Sequence, residues 1–149
     1  MEYTELAVDF LNKMQSLNKE KAHKSICDSL QGEAFILHYI SLHDDYVLPS
    51  EISHEMGVST ARIAQALNSI EKKGWITRQI DKTDRRQILV GMTEEGMDAA
   101  ERHQQAVVVA AAKILELLGE HDAKEHIRIL GRLAEIASMC SCVSNSVYT

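Results

Sequence analysis

The stretch DKTDRRQILVGMT, Asp81 to Thr93, sets three cations and two carboxylates in six residues and then runs straight into an apolar segment. Its first half is turn material, since Asp side chains bond readily to nearby amides. Its second half, Gln87 to Met92, has the aliphatic content of a strand. Just upstream, Trp75-Ile76-Thr77-Arg78-Gln79-Ile80 alternates apolar and polar residues, the period of a strand with one covered face. Two such runs joined by a short polar loop predict a β-hairpin with the arginines at its tip.

The preceding segment, LPSEISHEMGVSTARIAQALNSIEKKG, predicts what the hairpin is attached to. Ser50 is expected to cap a short helix that turns Ile52 and Met56 inward, and Gly57 suits the left-handed residue that ends it. Ser59 offers a second N-cap, after which Ile63, Leu67 and Ile70 make one apolar stripe and Gly74 closes the helix. Two short helices joined by a glycine-containing turn have the helix-turn-helix pattern, which many helical hairpins share. Followed at once by a β-hairpin, they form a winged helix. The fold expected is mainly α with a small β-hairpin wing, and a wing tip is where a guanidinium projects furthest toward phosphates or a narrow minor groove.

Outside this core the pattern is helical. Leu6, Phe10, Leu11, Met14 and Leu17 predict an amphipathic helix from about Thr4 to Leu17, with its continuation toward Cys27 left open. A second helix is expected from about Leu30 to Leu42, ended by His43-Asp44-Asp45, and Tyr46-Val47-Leu48 is long enough only for a fragment of strand. Thr93, Glu94 and Glu95 open a helix whose stripe includes Met97, Ala100, Val107, Ala111, Ile114 and Leu118. A last helix from about Asp122 to Met139 brings Ile127, Leu130, Leu133 and Ile136. The terminal thirds carry more apolar face than a small winged helix covers, which predicts an intertwined homodimer. The expected layout is one domain over 1–149: dimerisation helices over about 1–29 and 120–149, the winged helix-turn-helix over about 30–93, and a long connecting helix over about 93–119.

Composition agrees with a globular chain, at 45% hydrophobic and 26% charged residues over 149 positions. The start, MEYTELAVDFLNKM, carries carboxylates where a secretory signal needs a basic region, and no window approaches the roughly eighteen apolar residues of a membrane span. The expectation is a soluble, cytoplasmic protein without a membrane partner. A net charge of −6 argues against nucleic acid, but its distribution argues for it. From Ser59 to Arg86 the cations Arg62, Lys72, Lys73, Arg78, Lys82, Arg85 and Arg86 face only Glu71, Asp81 and Asp84, a local +4 against −10 for the remainder. A basic stripe on an acidic body is the footprint of a polyanion partner.

With these elements in view, the sequence resembles the multiple-antibiotic-resistance regulator (MarR) family of bacterial transcription factors. The likeness rests on GVSTARIAQALNSIEKKGWITR, Gly57 to Arg78, and on DKTDRRQILVGMTEEG, Asp81 to Gly96. The latter is close to the family's wing pattern of Asp, two residues, Asp-Arg-Arg, a strand, and Thr with acidic residues and Gly. Helix order and length extend the likeness over nearly the whole chain. One departure is Met92, where the family usually has Leu, a swap that conserves volume. The resemblance implies a two-fold dimer on a pseudo-palindromic operator in double-stranded DNA, usually a repressor relieved by a small-molecule effector, a metal or an oxidant.

Residue roles follow from this reading. Thr60, Arg62 and Gln65, near the amino end of the second helix of the pair, are candidates for base edges in the major groove, arginine by paired bonds to guanine and glutamine to adenine. Ser59 divides between capping its helix and offering the helix terminus to a phosphate. On the wing Arg85 is the first candidate for a minor-groove or phosphate contact, with Lys82 and Thr83 assisting. Asp84 is also suited to bracing the loop, and Arg86 is balanced between a DNA contact and packing back on the domain. Trp75 is expected to pack in the core rather than stack on bases.

A ligand pocket is expected between the dimer helices and the winged domain, with Phe35, His38 and Tyr39 as candidates. Three cysteines, Cys27, Cys140 and Cys142, are too few and too scattered for a disulfide framework. Glu20, His23 and Cys27 fall on one face of a continuous helix and carry atoms that suit zinc. Cys140 and Cys142 lie about 200° apart on a helix and cannot share an ion there. No compact cysteine-histidine motif is present, and the default is no cofactor. A metal- or thiol-sensing regulator using the three cysteines is therefore the second reading. A third, of another class, is a winged-helix module that contacts only protein. An enzyme is not expected: there is no phosphate-binding glycine loop, no H-E-x-x-H and no G-x-S-x-G.

Overall fold

The computed structural model describes residues 3–140. Its order is α1 (Tyr3–Asn18), α2 (Lys21–Ser29), α3 (Glu33–Ser41), α4 (Pro49–Met56), α5 (Thr60–Lys72), β1 (Ile76–Ile80), β2 (Ile88–Met92), α6 (Glu94–Leu118) and α7 (Glu120–Met139). The fold is mainly α with a two-stranded antiparallel wing, a winged helix-turn-helix. The described residues divide into two compact units, one ending at Ala110 and one beginning at Ala111. Among the described residues no helix is long and apolar enough to cross a membrane.

Helix boundaries differ from the sequence expectation in two places, each for a local reason, while α1 has the expected extent and its open continuation is decided. The first helix does not continue toward Cys27. It stops at Asn18, and Glu20 takes an extended conformation (φ −77°, ψ 128°) as the residue before α2. The next helix begins at Glu33 rather than Leu30. Leu30 closes α2 instead, its amide donating to the carbonyls of Ile26 and Cys27, and Gly32 turns the chain with a φ of +76°. Ser50 does not cap α4. Leu48 is the capping position, Pro49 takes the first helical place, where its missing N–H costs nothing, and the Glu51 carboxylate accepts the Leu48 amide at 2.8 Å.

The first unit has one continuous core. The stripe of α5, Ile63, Leu67 and Ile70, is buried against Ile36, Leu37 and Ile40 of α3, Ile52 of α4, and Ile76 and Val90 of the wing. Trp75 packs against this core, as expected, half-buried. The Tyr46–Leu48 fragment contributes one bridge: Val47 and Val90 exchange both backbone bonds at 2.9 Å, adding a single residue of third strand to the wing.

Two glycines permit close approach. A Cβ on Gly91 would lie 2.7 Å from the ring of Tyr46, and one on Gly96 would lie 1.9 Å from the Trp75 carbonyl oxygen, so α6 starts in contact with the strand entry. By contrast α1 buries no residue, and Leu6, Phe10, Leu11, Met14 and Leu17 all stand exposed. In the second unit Ala123 is buried while Ile127, Leu130, Leu133 and Ile136 are exposed.

Candidate nucleic-acid interface

The turn between α4 and α5 is set by Gly57, whose left-handed conformation (φ 63°, ψ 30°) carries an amide that donates to the His54 carbonyl. Two residues on, the Ser59 hydroxyl accepts the Arg62 amide at 3.3 Å and so caps α5. That bond uses the side chain structurally. Because Ile63 faces the core, the amino end of α5 turns Ser59, Thr60, Arg62 and Gln65 to solvent.

The wing loop is built by its carboxylates. Asp81 Oδ1 accepts the Thr83 amide at 2.9 Å and the Thr83 hydroxyl at 2.8 Å, and Asp84 Oδ1 accepts the Arg86 amide at 3.1 Å. The strand ends are tied by Asp81 N–H to the Gln87 carbonyl (3.0 Å) and Gln87 N–H to the Asp84 carbonyl (2.9 Å). Bonds from Thr83 hold the Asp81 carboxyl below its ordinary pKa. Asp84 thus braces the loop, whereas Arg86 does not pack back on the domain. It stands exposed beside Lys82, Thr83 and Arg85. A loop fixed by its acids presents its cations outward.

Ion pairing sorts the seven cations of the stripe. Lys73 donates to Glu33 at 2.6 Å and lies 5.1 Å from the Trp75 ring, and the same bond lowers the Glu33 carboxyl. Arg78 is held by Glu71, with Nε at 2.9 Å. These two cations tie α5 and the wing to their neighbours. Among the described residues, no carboxylate lies within ion-pair distance of Arg62, Lys72, Lys82, Arg85 or Arg86. The net of +4 read from sequence therefore conceals a division between two structural cations and five free ones.

The ligand candidates are only partly brought together. Phe35 stacks on Tyr39 at 6.4 Å and Tyr39 meets His43 at 4.5 Å. Phe35 lines a cavity of about 370 Å³ with Leu30, Met56, Val58, Arg62 and Ala66, but His38 and Tyr39 lie outside that lining. A more open cavity of about 740 Å³ is lined by residues that include Lys21, Lys24, Asp28, Gly32, Arg62 and His103. Arg62 borders both, which its exposed position on α5 did not foretell.

The metal candidates are not assembled as the sequence suggested. His23 Nε2 lies 3.4 Å from Cys27 Sγ, but Glu20 sits beyond the start of α2 and leaves their face. Among the described residues no three histidine, cysteine or acidic side chains form a metal-holding group. Cys140 is exposed after α7, and Cys142 lies outside the described residues.

A capped, solvent-facing helix beside a braced basic hairpin defines a winged helix-turn-helix protein. A family model described as MarR family matches residues 29–87. An uncharacterized HTH-type transcriptional regulator of Bacillus subtilis (strain 168), YwhA, is 26% identical over 126 residues, 85% of this chain and 88% of that one. Among solved structures, YusO from Bacillus subtilis is similar with a TM-score of 0.68 and 23% identity, covering 91% of this chain and 99% of that one. Streptococcus pneumoniae FabT in complex with DNA is similar with a TM-score of 0.62 and 20% identity, covering 94% and 100%. Over residues 29–87, then, the chain is similar to the MarR family.

Proposed function

We propose that this protein is a dimeric, sequence-specific DNA-binding transcriptional regulator, a repressor that a small-molecule signal releases from its operator. The observation that carries the reading is the set of unpaired cations on the wing tip and at the exposed end of α5, Arg62, Lys82, Arg85 and Arg86. Phosphate neutralisation supplies most non-specific affinity for a duplex, and cations already paired within the protein contribute little to it. The likeness to FabT in its DNA complex supports the same reading. In it α5 enters the major groove. Arg62 and Gln65 read base edges with Thr60, the capping of α5 by Ser59 leaves other amides of its first turn for phosphate, and Lys82, Thr83, Arg85 and Arg86 follow the backbone or minor groove.

The exposed apolar faces of α1 and α7 support a homodimer, since each leaves large side chains that a second copy would cover. Two-fold symmetry then sets paired α5 helices on half-sites about 34 Å apart. The cavities bordered by Arg62 support release by a ligand, because a group bound there meets a side chain needed on the bases. A second reading, a thiol-sensing regulator, is favoured by the contact between Cys27 and His23. Release of DNA by peroxide in the wild type, lost in Cys27→Ser, is its signature.

The primary test compares binding of the wild type, Arg62→Ala and Gln65→Ala to the DNA upstream of the chain's own gene and to a mixed-sequence duplex. The two variants are expected to lose about 1–3 kcal/mol of discrimination each, with affinity for the mixed duplex kept in Gln65→Ala and lowered in Arg62→Ala only as far as one lost cation requires. Retained discrimination in both removes the base-reading roles. A wild type that binds neither duplex points to a winged-helix module for protein contact alone.

A further inference from the structure

The wing has one face whose covering runs out before the strands do. Alternation puts Ile76, Arg78 and Ile80 of β1 on that face, beside their register partners Met92, Val90 and Ile88. At the base it is core: Ile76 is 2% exposed and Val90 0%. Halfway along, Arg78 is held to Glu71 near the carboxyl end of α5. At the outer end Ile80 and Ile88 stand directly opposite each other, 65% and 42% exposed. A shallow depression lined by Ile80, Asp81, Lys82 and Arg85 joins Ile80 to two of the free cations, with Ile88 next to it across the strands.

A cross-strand pair of isoleucines open to water is a poor choice for an edge that serves no partner, where threonine or a charge would hold the strand as well. Two side chains also expose much less than the few hundred square ångströms of apolar surface that mark a protein-binding patch. Their cationic flank matches a different surface. Along a DNA strand the C–H faces of the deoxyriboses alternate with phosphates, so an apolar step set between a lysine and an arginine meets one sugar and its neighbouring charges. We propose that Ile80 and Ile88 form an apolar footing that packs on the deoxyribose edge of the duplex while Lys82 and Arg85 hold the flanking phosphates. This rests on the DNA-binding reading and adds to it a contact that carries no charge.

The absence of charge makes the footing separable from the cations. Ile80→Thr and Ile88→Thr keep the β-branched shape at exposed positions and remove apolar surface. The full-length wild type, the double variant and Arg85→Ala are titrated with the duplex from upstream of the gene over a salt series, with native mass measured for each. The double variant is expected to bind roughly 5- to 20-fold more weakly at every salt concentration, with the wild-type slope of log affinity against log salt. Arg85→Ala is expected to lower that slope by about one. Wild-type affinity in the double variant, with a steep slope retained, overturns the footing and leaves the DNA reading standing. An altered native mass overturns it as well, by assigning the pair to a contact between copies. A wild type without salt-dependent affinity for the duplex overturns both.

Discussion

Thr93 Oγ1 donates to the carbonyl of Gly74 at 2.7 Å, bridging nineteen residues of sequence, and accepts the Gly96 amide at 3.0 Å. One hydroxyl therefore caps α6 and satisfies the carbonyl at the end of α5, which fixes the helix nearest the candidate base contacts to the long helix that follows the wing. Thr93→Val removes both bonds and leaves the Gly74 carbonyl without this partner. The expected loss is about 1–3 kcal/mol, read from the midpoint of urea unfolding, with Thr93→Ser retaining most of the stability.

Gly96 is the most tightly enclosed glycine of the first unit. On helix propensity alone Gly96→Ala would gain about 1 kcal/mol. The added methyl would instead meet the Trp75 carbonyl oxygen, backbone that has no side-chain freedom to yield. A net loss of at least about 1–3 kcal/mol is expected in chemical denaturation. A neutral or stabilising substitution would show that α6 does not start against the strand entry as described.

The wing loop should unlock in acid. Asp81 has a pKa held below 3.8 by the bonds it accepts from Thr83, so the loop keeps that support fully above 3.8 and loses it as pH falls through the lower folded value. The Thr83 amide resonance is expected to titrate with a midpoint below 3.8, and Asp81→Ala should abolish the titration and speed exchange of that amide. A midpoint at or above 3.8 would mean the loop bonds are not formed in solution.

The proposed dimer draws on the uncovered face of α7. Leu133→Asp places a charge among Ile127, Leu130 and Ile136, all exposed in the single chain. Native mass is expected to fall from that of two chains to that of one. A wild type that is already monomeric would leave those side chains without an occupant.

The parts of the fold legible in sequence are those written in short-range signals. The 3.6-residue stripe Ile63, Leu67, Ile70, the Ser59 cap, the left-handed Gly57 and the alternation of β1 each depend on residues a few positions apart, and each stands as read. The misreadings at Ser50 and Leu30 come from competition among neighbouring caps. Pro49 with Glu51, and Gly32 after Leu30, outweigh signals that look adequate alone. Pairings over distance leave no such trace. Lys73 meets Glu33 across forty residues, and Thr93 meets Gly74 across nineteen. For the same reason a count of charges could not separate Lys73 and Arg78, committed inside the fold, from Arg85 and Arg86, which are free. The exposure of Ile80 and Ile88 is equally hidden, since their alternation reads as that of any covered strand.

The most direct measurement of the central claim is the salt dependence of binding to double-stranded DNA by the full-length chain, repeated with Lys82→Ala and Arg85→Ala. Free wing cations that neutralise phosphates require log affinity to fall linearly with log salt, and each substitution to reduce the slope by about one. An affinity that is flat with salt, or a slope the two substitutions leave unchanged, would contradict the account.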